Sequence, residues 1–177
     1  LFLPEWAGIG RPKRGTDAVL AAIDSLAGAP IPASTLESMV LPARVSDYAP
    51  AMLDELTSAG EVIWCGRGRI ADSDGWISLA PVDSADLLLP DPTPDSDVSP
   101  AADVLLASLA NGGSWLFREL LERATDTTER DLHAALWDLV WSGHITADTL
   151  AGVRALIAGG GAGKQSTTTR RRRRRST

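Results

Sequence analysis

A helix that ends at a glycine and runs into a short extended segment occurs twice in this chain. In the second copy, apolar residues at helical spacing come before Gly143, and Ile145 follows it. In the first copy, a similar apolar face comes before Gly60, and Val62 follows it. Glycine suits such a helix end because it adopts the left-handed backbone conformation without strain. The repeated pattern therefore indicates two copies of one structural unit.

Three helices followed by a β-hairpin are predicted for the first unit. The helices begin near Thr16, near Ser34 and near Asp47 or Ser46, which all have side chains that can cap a helix. Segments 61–65 and 76–80 are strand candidates, because both are rich in β-branched and aromatic residues. Three helices and then a hairpin are the order of a winged helix. The expected fold class is therefore mainly α, with a small hairpin as the wing.

The loop of this wing is predicted to span residues 66–75. It begins with Gly66-Arg67-Gly68-Arg69, and Asp74-Gly75 is a typical tight-turn pair. In the second unit, the segment after residue 145 is not followed by a second strand rich in β-forming residues. We therefore expect a second winged helix with a short or absent wing.

Changes in composition divide the chain into five predicted segments. They are a linker (1–15), a first winged-helix unit (16–89), a linker rich in proline and aspartate (90–98), a second winged-helix unit (99–158) and a disordered tail rich in glycine and arginine (159–177). Ser99 is predicted to cap the first helix of the second unit. Because the chain starts at a leucine and ends in a basic run, we expect it to be a piece of a longer protein.

Charge is distributed unevenly along the chain. The whole chain has a net charge of −6, so without the six arginines at 170–175 the rest of the chain carries −12. An acidic surface argues against broad contact with phosphates, which requires Lys and Arg. The single cysteine excludes an internal disulfide and is typical of a reducing compartment. With no apolar run as long as a membrane span, we expect a cytoplasmic protein without membrane contact.

Several segments partly match known site motifs. Residues 159–164 resemble a phosphate-binding loop, but they lack the first glycine and the final Ser or Thr. Residues 72–75 lack the acidic ligands of a calcium loop, and His133 and His144 have no partners at zinc-ligand spacing. Cys65 is expected to be packed rather than reactive. We therefore predict no catalytic residue, no metal site and no bound cofactor.

The candidate nucleic-acid contacts lie in the first wing and in the tail. Arg67 and Arg69 are placed where a wing meets a DNA backbone, and Trp76 is the best aromatic candidate for stacking on a base. Trp137 and Trp141 stand at helical spacing beside a leucine stripe, so packing is the preferred interpretation and base stacking the alternative. The tail contributes Arg170, Arg171, Arg172, Arg173, Arg174 and Arg175, a polycation that binds phosphates without sequence selectivity.

A family resemblance rests on segments spread over most of residues 1–158. They are 2–6, 41–45, 48, 50–56, 134–143, 145–146, 148–150 and 154–156. Together these segments resemble the C-terminal region of actinobacterial Lhr (large helicase-related) proteins. The resemblance implies a parent in which two RecA-like motor domains use ATP and Mg²⁺ to move 3′ to 5′ on single-stranded DNA during DNA repair. It also implies that tandem winged helices and a β-barrel follow the motor.

No motor motif occurs in this chain, so no ATPase residue can be assigned to it. We expect a non-catalytic winged-helix region that helps to engage DNA or to organise the motor. The alternative is an assembly module that contacts DNA little. The expected partners are single-stranded or duplex DNA, the RecA-like domains of the same parent and other copies of the chain. The helix at 131–142 is apolar on two sides and acidic where it is polar, so we expect it to be a packing hub.

Overall fold

Seven helices and three strands are found in the described part of the chain. A computed structural model describes residues 14–92, 99–110, 119, 120, 122 and 127–162. In chain order the elements are α1 (Thr16–Leu26), β1 (Ile31–Pro32), α2 (Ala33–Thr35), α3 (Pro50–Ser58), β2 (Val62–Ala71), β3 (Asp74–Pro81), α4 (Val82–Leu88), α5 (Pro100–Leu109), α6 (Glu129–Trp141) and α7 (Ala151–Ala162). A π-helix (Leu36–Val40) continues α2. The predictions for 1–13, 93–98 and 163–177 lie outside the described residues.

The three strands form one antiparallel sheet in the order β1-β3-β2. Ile31 pairs with Ile77, and Pro32 pairs with Trp76. The sequence did not predict this strand, because residues 31–34 are typical of a turn, and a turn is wrong for the first two of them. Proline is tolerated here because β1 is an edge strand, so the missing N–H of Pro32 removes no ladder hydrogen bond that the sheet requires.

The hairpin is longer than its sequence predicted. Strand β2 continues through the glycine- and arginine-rich segment to Ala71, and the turn consists of Asp72 and Ser73. The predicted turn at Asp74-Gly75 is therefore wrong, because Asp74 is the first residue of β3. Its carboxylate accepts hydrogen bonds from the backbone N–H and the hydroxyl of Ser34, at 3.1 and 2.6 Å. Asp74 thus joins the hairpin to the start of α2.

The glycine-terminated helices are confirmed. Gly60 and Gly143, which follow α3 and α6, have φ values of 73° and 84°. Behind α6, Gly143 N–H donates to the carbonyl of Val140, and His144 N–H donates to that of Leu139. These bonds satisfy carbonyls that the helix end leaves without partners. The repeated sequence pattern therefore corresponds to the same local geometry at both sites.

The helix starts agree less closely with their predictions. Ser99 caps α5 as predicted, because its side chain accepts from the backbone N–H of Ala102. The position before α1 is Gly15 and not Thr16, and no side chain caps that helix. The predicted caps of α2 by Ser34 and of α3 by Asp47 or Ser46 are also wrong, since neither helix has a side-chain cap. The carboxylate of Asp47 accepts instead from Gly15 N–H at 3.0 Å.

Two clusters of buried side chains form the core, and α6 contributes to both. The first cluster joins α1–α3 and the hairpin to Val140, Trp141, Leu150 and Val153. The second cluster consists of Ala101, Ala102, Leu105, Leu120, Leu132, Ala135 and Leu139. The prediction that the helix at 131–142 is a packing hub is confirmed, because one side of α6 belongs to each cluster.

Two glycines of the hairpin allow α6 to approach it closely. A Cβ atom on Gly66 would overlap the backbone of Val140 and Trp141. A Cβ atom on Gly75 would overlap the indole ring of Trp141. Trp141 is therefore seated against bare backbone of β2 and β3, with only 2% of its surface exposed. In the part of the chain that the structure describes, no helix is long and apolar enough to cross a membrane.

Candidate nucleic-acid interface

A β-bulge places Arg67 opposite Trp76 in the hairpin. Between two successive pairs of the ladder, β2 contributes Arg67 and Gly68, whereas β3 contributes only Trp76. Gly68 has a φ of 112°, which side chains rarely tolerate, so glycine suits the extra residue of the bulge. Both Arg67 and Trp76 are exposed, with 38% of the tryptophan surface accessible. The bulge thus presents a cation and an aromatic ring to solvent.

The side chains near this bulge belong to the outer face of the hairpin. Cys65, two residues before Arg67, pairs with Ser78, two residues after Trp76. Burial raises the pKa of the Cys65 thiol, and the charge of Arg67 opposes this rise. Closer to the base of the hairpin the outer face is covered, because the Ser78 hydroxyl donates to the carbonyl of Gly28 at 3.2 Å. Only the distal part of the face is open around Arg67 and Trp76.

Arg69 is held by the second half of the chain. Its Nη2 atom forms an ion pair with Oδ1 of Asp138, a residue of α6. The two side chains are 39% and 60% exposed, so solvent screens their attraction. The sequence grouped Arg69 with Arg67 as a wing cation, but the structure gives these two residues different environments.

Helix α3 occupies the position of the DNA-reading helix in a winged helix, but its chemistry does not suit that role. It contains no Lys or Arg. The carboxylate of Asp54 accepts from Arg154 Nη2 at 2.6 Å and from Leu150 N–H at 3.2 Å. Ser58 donates to the carbonyl of Asp148 at 3.3 Å. The polar side of α3 therefore contacts residues 148–154 of the same chain.

Arg154 also reaches the segment that precedes α3. Its Nε atom donates to Glu37 at 2.7 Å, and the hydroxyl of Tyr48 donates to the other oxygen of that carboxylate at 2.6 Å. Burial and the hydrogen bond to Glu37 raise the pKa of Tyr48 far above its usual range. Residues 37, 48, 54 and 154 thus form a polar clasp, which joins α7 to the first unit.

The tryptophans of α6 pack against each other. Trp137 and Trp141 are stacked with ring centroids 5.7 Å apart, and Trp137 Nε1 donates to His133 Nε2 at 3.2 Å. The packing interpretation is confirmed for Trp141, which is fully buried. Among the described residues, no group of three or more His, Cys, Asp or Glu side chains is placed to hold a metal ion.

The predicted site residues are therefore distributed over three environments. Arg67 and Trp76 are open at the bulge, Arg69 is paired with α6, and residues 170–175 lie outside the described residues. A role for these residues in nucleic-acid binding stays a prediction. Sequence reasoning missed the partners Asp138 and Arg154, because no local pattern connects residues so far apart along the chain.

Three helices, an edge strand and a long hairpin define residues 16–81 as a winged helix. The family model for the winged-helix domain of the large helicase-related protein matches residues 1–82. The chain is 43% identical over 160 residues to the Lhr helicase/probable uracil glycosylase of Mycolicibacterium smegmatis, and 39% identical over 148 residues to the Lhr helicase/uracil glycosylase of Escherichia coli. The chain therefore resembles a region of the large helicase-related proteins over most of its length.

These relatives are much longer than the chain. The alignments cover 89% and 80% of this chain, but only 11% and 10% of the two relatives. The chain thus spans about a tenth of the length of the curated relatives that it matches. Neither the family match nor the described residues assign it a catalytic residue of its own.

Proposed function

We propose that this chain is a non-catalytic winged-helix region of an ATP-dependent 3′-to-5′ DNA helicase, and that it engages a DNA strand through the distal hairpin. Both relatives are named as helicases, which supports a helicase as the parent. The hairpin is proposed as the contact surface because the exposed Trp76 lies opposite the exposed Arg67 at the bulge. ATP and Mg²⁺ belong to the motor of the parent and not to this region.

The chemistry of the bulge fits an unpaired strand. A base stacked on Trp76 would gain about 1–3 kcal/mol, whatever its identity. Arg67 would contact a phosphate, which carries no sequence information. The reading helix α3 is acidic and engaged by residues 148–154, so it offers nothing that distinguishes one base pair from another. Binding is therefore expected to be independent of sequence.

The acidic charge of the rest of the chain keeps this contact local. Without its six terminal arginines the chain carries a net charge of −12, which repels a strand except near the hairpin. The arginines at 170–175 would add phosphate contacts of their own. A small stacked contact and a basic segment suit a region that guides DNA while the RecA-like domains of the same parent move it.

An assembly role is the second candidate. Leu87 of α4 is 87% exposed, and its neighbours Val82 and Leu88 are also among the exposed large apolar residues. Exposed apolar side chains in one short helix favour contact with another protein surface. In this alternative α4 docks on the motor domains or on another copy of the chain, and the hairpin contacts DNA little.

Fluorescence anisotropy with a short labelled single strand distinguishes these functions. The full chain is compared with a variant in which serines replace Arg170–Arg175, so that the hairpin contact is measured alone. In that serine background, Trp76→Ala is expected to weaken binding about 5- to 150-fold, since stacking supplies about 1–3 kcal/mol. Arg67→Gln should reduce the slope of log affinity against log salt concentration by about one, the value of one lost phosphate contact.

Met39→Ala and Arg130→Gln are the matched controls, because both side chains are exposed and neither belongs to the hairpin. Met39→Ala is expected to leave affinity unchanged, and Arg130→Gln to change it less than Arg67→Gln does. If the serine background binds no DNA at low salt, the hairpin contact is excluded and assembly becomes the preferred function.

A further inference from the structure

We propose that Asp138 is an internal competitor for the phosphate that Arg69 would otherwise bind. The inference rests on the proposed DNA contact of the hairpin and names the residue that regulates it. Arg69 lies on β2, two residues beyond Arg67, and its partner in the ladder is Gly75, the neighbour of Trp76. Of these two cations, only Arg69 has an acidic partner among the described residues.

The position of Asp138 follows from the packing of α6. Trp141, one helical turn further along, is seated against the bare backbone of Gly75. Residues three apart on a helix share one side of it, so the burial of Trp141 directs Asp138 toward the same hairpin. The ion pair is therefore positioned by the packing of α6 on the hairpin and does not depend on a flexible loop.

A carboxylate and a phosphate compete for the same guanidinium atoms. Both accept charge-assisted hydrogen bonds from the N–H groups of arginine with similar geometry. The Nη2 atom of Arg69 already donates to Oδ1 of Asp138. A phosphate that reaches Arg69 must displace this carboxylate or share the arginine with it, and the negative charge of Asp138 repels the phosphate in either case.

The competition is weak enough to be reversible. Ion pairs as exposed as this one contribute little to stability, because water and salt screen them. Asp138 therefore lowers the affinity of the hairpin without blocking it.

Substitution of Asp138 tests this inference. Asp138→Asn removes the charge, and Asp138→Ala removes the acceptor as well. In the background with serines at Arg170–Arg175, both variants are expected to bind a labelled single strand about 1.4- to fivefold more tightly at low salt. The slope of log affinity against log salt concentration should become steeper by about one, because Arg69 becomes available for one more phosphate contact. Asp103→Asn, which removes the same charge from α5, is the control for general repulsion.

The decisive comparison repeats these measurements with Arg69→Gln. If Asp138 acts through Arg69, Asp138→Asn has no more effect in this background than Asp103→Asn. An equal gain with and without Arg69 would mean general electrostatics and would overturn the inference. The inference also fails alone if binding depends on Trp76 but does not respond to Asp138. If neither the serine background nor its Asp138→Asn variant binds the strand, both the proposed DNA contact and this inference fail.

Discussion

Gly66 and Gly75 determine how closely α6 approaches the hairpin. Neither residue has the positive φ that would require glycine for its backbone conformation. What they supply is the space of a missing side chain, into which Trp141 and the backbone of α6 fit. Tryptophan buries a large apolar area, so this contact stabilises the junction between the two halves of the chain.

We expect Gly66→Ala to destabilise the chain by about 1–3 kcal/mol, the usual cost of overpacking a core. The new methyl group would meet the backbone of Val140, which cannot move away by changing a rotamer. Urea unfolding followed by tryptophan fluorescence measures the loss. Gly152→Ala is the control, since its Cβ would lie 3.7 Å from Trp137, an ordinary contact. Equal unfolding midpoints for the two variants would show that α6 does not press on Gly66.

The glycines also show what a sequence can predict about single residues. Gly60 and Gly143 were identified because a helix end is a local signal, readable from the residues just before it. Gly66 and Gly75 were assigned to a loop, because the side chain that requires them lies far along the chain. The same reason explains the missed partners of Arg69 and Asp54. Trp76 was named as a candidate because it lies in the predicted wing, and that placement in the hairpin depends on local sequence signals.

Arg154, Glu37, Asp54 and Tyr48 join separate elements through one set of hydrogen bonds. Arg154 extends from α7 to a carboxylate of the π-helix and to a carboxylate of α3. Glu37 also accepts from Tyr48, which lies just before α3. Charge-assisted bonds of this kind are stronger than neutral ones and fix the direction of a planar guanidinium. The clasp therefore sets the angle at which α7 crosses the first unit.

The clasp makes stability depend on alkaline pH through Tyr48. An unfolded tyrosine loses its proton near its ordinary pKa of 10.0, whereas the folded Tyr48 keeps it because burial and Glu37 raise its pKa. Above that pH the folded state binds more protons than the unfolded state, so stability falls as pH rises. Because the chain has one tyrosine, tyrosinate absorbance reports on this residue alone.

We expect no tyrosinate absorbance in the folded chain as the pH passes 10.0, and its appearance only together with unfolding. The chain unfolded in urea should titrate with the ordinary value. A folded chain whose tyrosine titrates normally would contradict the buried bond to Glu37. Tyr48→Phe is the control, because it should remove this part of the alkaline pH dependence while leaving the ionisation of other groups in place.

At the level of elements, helices were easier to predict than strands. Helix periodicity and helix-end residues lie within the element itself, so α1, α3, α5 and α6 were placed near their observed positions. The length of β2 depends instead on pairing with β3 and on two bulges, which no alternation of residue types encodes. β1 has only two residues and is defined by its partner alone. Strand limits are therefore set by contacts between distant segments.

Across the whole molecule, the two halves share the first of the two buried clusters. Val140, Trp141, Leu150 and Val153 pack with residues of the first unit. Trp64, on β2, donates from its indole to the carbonyl of Ala147 at 2.8 Å and accepts through its own carbonyl from Thr146 at 2.7 Å. The sequence predicted two winged-helix units in tandem. That the second half would cover both the hairpin and the polar side of α3 had no sequence signal.

A shared core predicts that the described halves unfold together. Calorimetry of the full chain should give one transition in which the calorimetric and van't Hoff enthalpies agree. A truncated chain that ends at residue 92 loses the cover of Trp64, Gly66 and Gly75, so it should melt at a lower temperature with a red-shifted tryptophan emission. Replacing Arg170–Arg175 with serine is the control, and it should leave the transition unchanged. Two separate transitions in the full chain, or an unchanged melting temperature after truncation, would mean that the halves fold independently and that α6 only rests on the hairpin.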